Sequence, residues 1–220
     1  MATRTKTPPR PTVVLLVRHG RTPTTGKVLP GRAPSLHLSE EGRSQADAVA
    51  ARIAGIATTG SARPVAVYAS PLERTAETAK PIARLLGLRV RTARGLLECD
   101  FGTWTGAELK DLAKRPEWGA VQRFPSGFRF PGGESFLEMQ ARIPSAISRL
   151  VALHPGETVV AVSHADPIKA AVATAAGTHL DLFQRLTVAP CSVSALAYTA
   201  GGPYVLSVNS TGSLADLAIA

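Results

Sequence analysis

The chain predicts a three-layer α/β/α sandwich built on a mostly parallel sheet, with an antiparallel hairpin at one sheet edge. Three observations carry this. Short runs of Val, Ala and Leu without polar alternation recur at Val13–Val17, Val65–Ala69 and Val159–Val162, as strands buried on both faces of a parallel sheet require. Between them, apolar residues return every three or four positions, the spacing of crossover helices. Near the C-terminus two short apolar runs flank Gly201-Gly202-Pro203, which reads as a hairpin.

The elements follow in order. The first strand ends in Arg18-His19-Gly20-Arg21-Thr22, and Ser39-Glu40-Glu41 opens a helix in which Ala46, Val49, Ala50 and Ile53 share a face. Strand Val65–Ala69 leads into Ser70-Pro71-Leu72-Glu73-Arg74. There Ser70 is expected to cap a helix and Pro71 to occupy its first turn, with Arg74 near the positive end of the dipole. Ile82, Leu85 and Leu86 are its buried face, Gly87 its end, and Pro81 predicts a kink or break. Leu88 to Arg91 is a short strand, and Ala107 to Lys114 a helix. Residues 116–133 form an irregular segment whose Trp118, Phe124, Phe128 and Phe130 either cover a pocket or fill a small satellite core. The next helix aligns Phe136, Met139, Ile143, Ile147 and Leu150, interrupted at Pro144. Strand Val159–Val162 leads to His164 and a helix from Asp166 to Ala176, and Ser194–Tyr198 and Tyr204–Val208 close the chain as the edge hairpin.

With 220 residues and no shift in composition, residues 12–220 are expected to form one domain behind a flexible basic Thr/Pro-rich tail, 1–11. The net charge of +9 raises the question of nucleic acid. Its basic residues are scattered rather than clustered and do not interleave with aromatics, so no nucleic-acid partner is expected. No apolar run approaches the roughly 20 residues of a membrane span, and a cytoplasmic location without membrane contact is expected. Two cysteines, Cys99 and Cys191, make no disulfide framework, and no Cys/His spacing suggests a metal.

Chemistry is suggested where strands end. Arg18 and His19 close one buried strand and His164 another, the place where open α/β sheets bind ligands. Arg74 opens a helix, and Leu97-Glu98-Cys99-Asp100-Phe101-Gly102-Thr103-Trp104-Thr105-Gly106 puts a carboxylate in a glycine-punctuated loop. Singly, each has a plain structural alternative: a surface ion-pair former, a helix-face arginine, a backbone-capping carboxylate, a sheet-edge histidine. Jointly, the motifs and their order, including Pro131-Gly132-Gly133-Glu134-Ser135, resemble the histidine phosphatase superfamily, also called phosphoglycerate mutase-like, from about Thr12 into the C-terminal region. Glu98-Cys99-Asp100, Phe130 to Ser135 and Leu180 to Arg185 resemble an actinobacterial subgroup labelled phosphomutases.

The resemblance implies catalytic roles for His19, Glu98, Arg18, Arg74 and His164. His19 would attack phosphorus and form a phosphohistidine, while Arg18, Arg74 and a protonated His164 would neutralise the phosphoryl oxygens. Glu98 would protonate the leaving oxygen, which asks for a raised carboxyl pKa. Thr22, Thr25 and Arg32 are second-rank phosphate ligands. The implied partner is a small phosphorylated substrate, with no cofactor and no metal, and a homodimer is left open. His37, His154 and His179 match no motif and are read as surface or packing residues. Three positions depart from the pattern: Arg21 and Thr25 stand where the family carries Glu or Gln and then Asn, and Ala165 where it carries glycine. The segment 106–133 lacks a basic cluster for a second anionic group, which favours a phosphatase over a mutase; a phospho-ligand-binding scaffold is the non-enzymatic alternative.

Overall fold

The structure, a computed structural model, describes residues 10–56 and 63–214, so most of the expected tail lies outside the described residues. Six strands, β1 (Thr12–Arg18), β2 (Pro64–Ala69), β3 (Val90–Thr92), β4 (Thr158–Ser163), β5 (Val193–Thr199) and β6 (Gly202–Ser210), form one sheet in the order β3-β2-β4-β1-β5-β6. The first four in that order run parallel, and β5 and β6 add an antiparallel edge.

Helices cover both faces. The odd residues of β1, Val13, Leu15 and Val17, pack with Ala46, Val49 and Ile53 of α1 (Glu40–Ile56) and Ala79 and Ile82 of α2 (Glu73–Leu86). Val14 and Leu16 face the other way, onto a core shared with Met139, Ile143 and Ile147 of α5 (Phe136–Leu153) and Ile168 of α6 (Ala165–Ala175). Both faces are therefore dry, which is why β1 carries no polar alternation. Each such side chain contributes about 1.5–3 kcal/mol by leaving water. Strong local caps agree with the helix starts. The Ser39 hydroxyl accepts from the Gly42 amide at 3.0 Å. Ser135 and Glu138 form a reciprocal capping box, with bonds of 3.1 and 2.8 Å.

Several expectations need correction. Ser70 does not cap: α2 starts at Glu73 with Leu72 in the cap position, and the Ser70 hydroxyl lies 2.9 Å from His164 Nε2. A partner 94 residues away has displaced the local bond. Pro81 and Pro144 sit inside α2 and α5 without ending either, since each removes only the bond its missing N–H would donate. The Leu88–Arg91 strand is shifted to Val90–Thr92, where it pairs with β2. The Ala107–Lys114 helix shrinks to α3 (Leu109–Leu112), because the Gly106 and Leu109 amides bond back to Leu29 and Lys27 instead. Within 116–133 the chain forms α4 (Trp118–Arg123) and a 3₁₀ turn at Pro125–Gly127. Its Phe130 is fully buried among Phe101, Trp104, Phe128 and Phe136 with ring centroids 4.8–5.5 Å apart, so the aromatics other than the exposed Phe124 build core. No helix among the described residues is long and apolar enough to cross a membrane.

Candidate active site

Parallel pairing brings three strand ends to one sheet edge. Arg18 of β1 is in register with Ser163 of β4, and Ala69 of β2 with Val162. The residues that follow, His19, His164 and Ser70, therefore meet, and the rings of His19 and His164 stand edge to face with centroids 5.2 Å apart. His19 is fastened by its own amide, which donates to the Ser163 carbonyl at 3.0 Å. Gly20 follows it for a steric reason. A Cβ there would lie 2.5 Å from the Gly42 carbonyl oxygen of α1, and one on Gly42 would lie 2.0 Å from that of Arg21. The Gly20 amide donates to Thr78 Oγ1 of α2 at 3.1 Å, so two helices seat this loop.

The hydrogen bonds assign the His19 tautomer. Arg74 Nε donates to His19 Nε2 at 3.3 Å, which requires a lone pair there, and Nδ1 then donates to the Gly20 carbonyl at 2.8 Å. Burial, reinforced by Arg74 and Arg18, holds the His19 pKa well below the ordinary imidazole value. His19 is thus a neutral imidazole with its lone pair on Nε2. His164, fully buried, is likewise held well below the ordinary value by burial and then by Arg74, His19 and Arg18. Without a phosphoryl dianion beside it the ring is held neutral, whereas the expected protonation concerns the substrate-bound site.

Arg74 is fully buried and anchors its Nη2 on the Gly31 carbonyl at 2.7 Å, and Arg18 anchors Nη1 on the Val188 carbonyl at 2.6 Å. Three buried polar atoms in this group have no hydrogen-bond partner: Arg18 Nε, Arg74 Nη1 and His164 Nδ1. Native interiors seldom leave such atoms unsatisfied, and together they make a ready cradle for an anion.

A cavity of about 260 Å³ opens at this edge, lined by Arg18, His19, Thr22, Thr25 and Glu98, with Val28, Leu29, Pro30, Phe101 and Leu109 as its apolar wall. Thr24, Thr22 and Thr25 form a chain of hydroxyls with links of 3.2 and 3.0 Å, which leaves one of three O–H protons for a ligand. Glu98 is buried, and its Oε1 accepts from the Cys99 amide at 2.9 Å. Burial, then the Asp166 carboxylate, pushes its pKa up to about 7 against the opposing pull of that amide, Arg74 and Arg18. Cys99 beside it is fully buried with its thiol pKa pushed up, chiefly by burial, and is inert.

Arg32 is a correction. Like Arg74 and His164 it does not line the cavity, but unlike them it has every side-chain nitrogen engaged: its Nε donates to the Glu98 carbonyl at 2.8 Å, Nη2 to Glu134 at 2.9 Å and Nη1 to Asp100 at 3.5 Å. Its donors hold the Glu98 loop from behind. Arg142 of α5 does the same, donating to the carbonyls of Gly95 and Leu97 at 2.9 Å, to that of Glu98 at 3.3 Å, and to both Glu134 oxygens at 2.8 and 2.9 Å.

A family model described as the histidine phosphatase superfamily (branch 1) matches residues 14–211. The chain belongs to this superfamily. The "Bifunctional protein Rv2228c" of Mycobacterium tuberculosis is 35% identical over 209 residues, a match that covers 93% of this chain and 55% of that protein. The chain thus spans about half the length of the first curated relatives it matches. The "Probable phosphoglycerate mutase GpmB" of Yersinia enterocolitica is 30% identical over 210 residues, covering 93% of this chain and 94% of that one. Among solved structures, the mycobacterial glucosyl-3-phosphoglycerate phosphatase Rv2419c superposes with a TM-score of 0.79 at 26% identity, covering 92% of this chain and all of that one.

In this histidine phosphatase-superfamily chain, sequence reasoning did not single out Asp166, Lys169, Glu134 and Arg142 as site residues. Asp166 and Lys169 line the cavity from α6 and pair at 3.5 Å, with Lys169 also donating to Gln184 at 2.9 Å. Their signal was legible: two charged residues three apart in an otherwise apolar helix directly after His164. Arg142 gave none, since its partners lie 8 to 47 residues away.

Proposed function

We propose that the protein is a phosphatase that hydrolyses a small phosphomonoester through a phosphohistidine at His19, without a metal. The observation that carries this is the set of three unpartnered buried groups, on Arg18, Arg74 and His164, gathered around a neutral imidazole whose Nε2 holds a lone pair. A phosphomonoester dianion would give each an acceptor. His19 Nε2 then attacks phosphorus in line, the P–O bond to the leaving group breaks, and Glu98 gives its proton to the departing alkoxide. In the second half Glu98 takes a proton from water, the resulting hydroxide attacks the phosphorus of phosphohistidine, and inorganic phosphate leaves with His19 restored. A group with pKa about 7 serves both directions near neutrality. Thr22 and Thr25 supply a hydroxyl to the phosphoryl group, and the cavity, about 260 Å³, suits a small substrate.

The likeness to the GpmB relative supports a second reading, in which the phosphoryl group returns to a substrate hydroxyl rather than to water. Phosphate release from a panel of phosphomonoesters, 3-phosphoglycerate among them, separates the two. Release by the wild type with none from His19→Ala is the expected result. Undiminished release by His19→Ala would remove the covalent mechanism, and transfer without release would favour the mutase.

A further inference from the structure

The geometry points to Ser70 as a positioning residue that fixes the proton of His164 on Nδ1, so that a neutral imidazole presents an N–H donor to the phosphoryl group. The inference rests on the phosphotransfer reading above for its consequence, although not for its geometry. Ser70 is buried, 1% exposed, at the end of β2. Its Oγ has one hydrogen-bond partner among the described residues, His164 Nε2 at 2.9 Å. The Ser70 amide is bound to the Val162 carbonyl, and its carbonyl is taken by the Thr75 hydroxyl at 2.8 Å, so the backbone around it is fixed. A buried hydroxyl with a single nitrogen acceptor in reach donates to it. Nε2 is then the acceptor, and the proton of a neutral ring must sit on Nδ1, the nitrogen that is buried with no partner.

The opposite tautomer would be harmful. With the proton on Nε2, the Nδ1 lone pair would face phosphoryl oxygens across a cradle otherwise made of arginine donors. A charged His164 would present a donor regardless of Ser70, but burial and then the Arg74 and Arg18 guanidinium groups disfavour a further positive charge there. A serine that chooses the tautomer obtains a donor without one. This also explains why Ser70 fails to cap α2 although Ser-Pro is well suited to that task.

The test is imidazole ¹⁵N NMR of the full chain with labelled histidine, on wild type, Ser70→Ala and Ser70→Thr, with and without inorganic phosphate, alongside kcat/KM for a phosphomonoester. Wild-type His164 is expected as the neutral Nδ1–H form. In Ser70→Ala its signals move toward the Nε2–H form and kcat/KM falls about ten- to a hundredfold, as for loss of one preorganised donor. Ser70→Thr, which keeps the hydroxyl, is expected to retain the wild-type tautomer. An Nε2–H tautomer in the wild type, or an unchanged Nδ1–H tautomer in Ser70→Ala, overturns the inference. So does a kcat/KM for Ser70→Ala within twofold of wild type. If no phosphomonoester is turned over, the spectra still decide the tautomer, and it is the functional reading alone that fails.

Discussion

Glu134 is the centre of the clamp behind Glu98, and replacing it by alanine should both unfold the protein earlier and slow it. Its carboxylate takes two bonds from Arg142, at 2.8 and 2.9 Å, and one from Arg32 at 2.9 Å, and it accepts weakly from the Asp100 amide at 3.3 Å. Removing one partner from a fully buried ion pair costs about 3–5 kcal/mol, and from an exposed pair about 0–1. Here the carboxylate side chain is 13% exposed and the arginines 21% and 31%, so a cost of roughly 2–3 kcal/mol is expected, between those limits. For a chain of this size that lowers the melting temperature by roughly 4–12 °C. Two guanidinium groups left facing each other no longer hold the Glu98 carbonyl, and if Glu98 is the acid, as proposed, its misplacement slows kcat by roughly ten- to a hundredfold. Thermal unfolding followed by circular dichroism and phosphate release at saturating substrate measure the two effects. Pairing Glu134→Ala with Arg32→Met should give less than the sum of the single losses, because both act on one network. A melting temperature within about 2 °C of wild type, with kcat within twofold, would refute the reasoning, since the arginines would then need no common acceptor.

Three further outcomes follow from the site. In the proposed mechanism Glu98 must be protonated to serve the leaving group, so the rate of phosphoenzyme formation should fall as pH rises through about 7; Glu98→Gln should lack that limb, run roughly 10²–10⁴ slower and still bind phosphate, as rapid-quench kinetics and phosphate titration can record. The same carboxyl makes stability depend on pH. Its folded pKa lies above the ordinary 4.5, so its favourable contribution is complete below 4.5 and is lost as pH rises through about 7; the melting temperature of Glu98→Gln relative to wild type should therefore climb across that window, by the equivalent of up to about 3 kcal/mol. Arg74→Lys replaces a fork that reaches the Gly31 carbonyl and His19 at once by a single point charge, and should lower kcat/KM by about 10²–10³; a loss below tenfold would show that charge alone suffices.

The layers were legible because burial on both faces leaves its mark in composition. Val13 to Val17 is apolar throughout, as a strand covered on both faces must be, and the helical faces of α1, α2 and α5 repeat with the period their packing demands. His19, Arg18, Arg74, Glu98 and His164 were legible as members of one family pattern. Their meeting, though, depends on strand register, which only the paired sheet supplies. Ser70 was misread because its local surroundings favour a cap, whereas the stronger claim on its hydroxyl comes from a neighbouring strand. Arg32 was misread in the same way: beside Gly31 it resembled a ligand-binding loop arginine, but its acceptors lie 66 to 102 residues later. Phe128 and Phe130 showed in sequence only as aromatics in a loop; the rings they pack on come from two other segments, Phe101 and Trp104 in the loop after Glu98 and Phe136 at the start of α5.

The contact between Gly20 and Gly42 has a consequence for how this protein can change. Where Gly20 meets Gly42, the loop that carries His19 rests on α1 through main-chain atoms, so its standoff at that point is set by van der Waals radii, while Arg21, one residue on, adds bonds to the Gln45 and Glu41 side chains. Swaps among Ala46, Val49, Ala50 and Ile53 can reshape the oily underside of α1 without acting on His19 through this seam. Drift is absorbed on one side of the helix, while the other side sets where His19 stands.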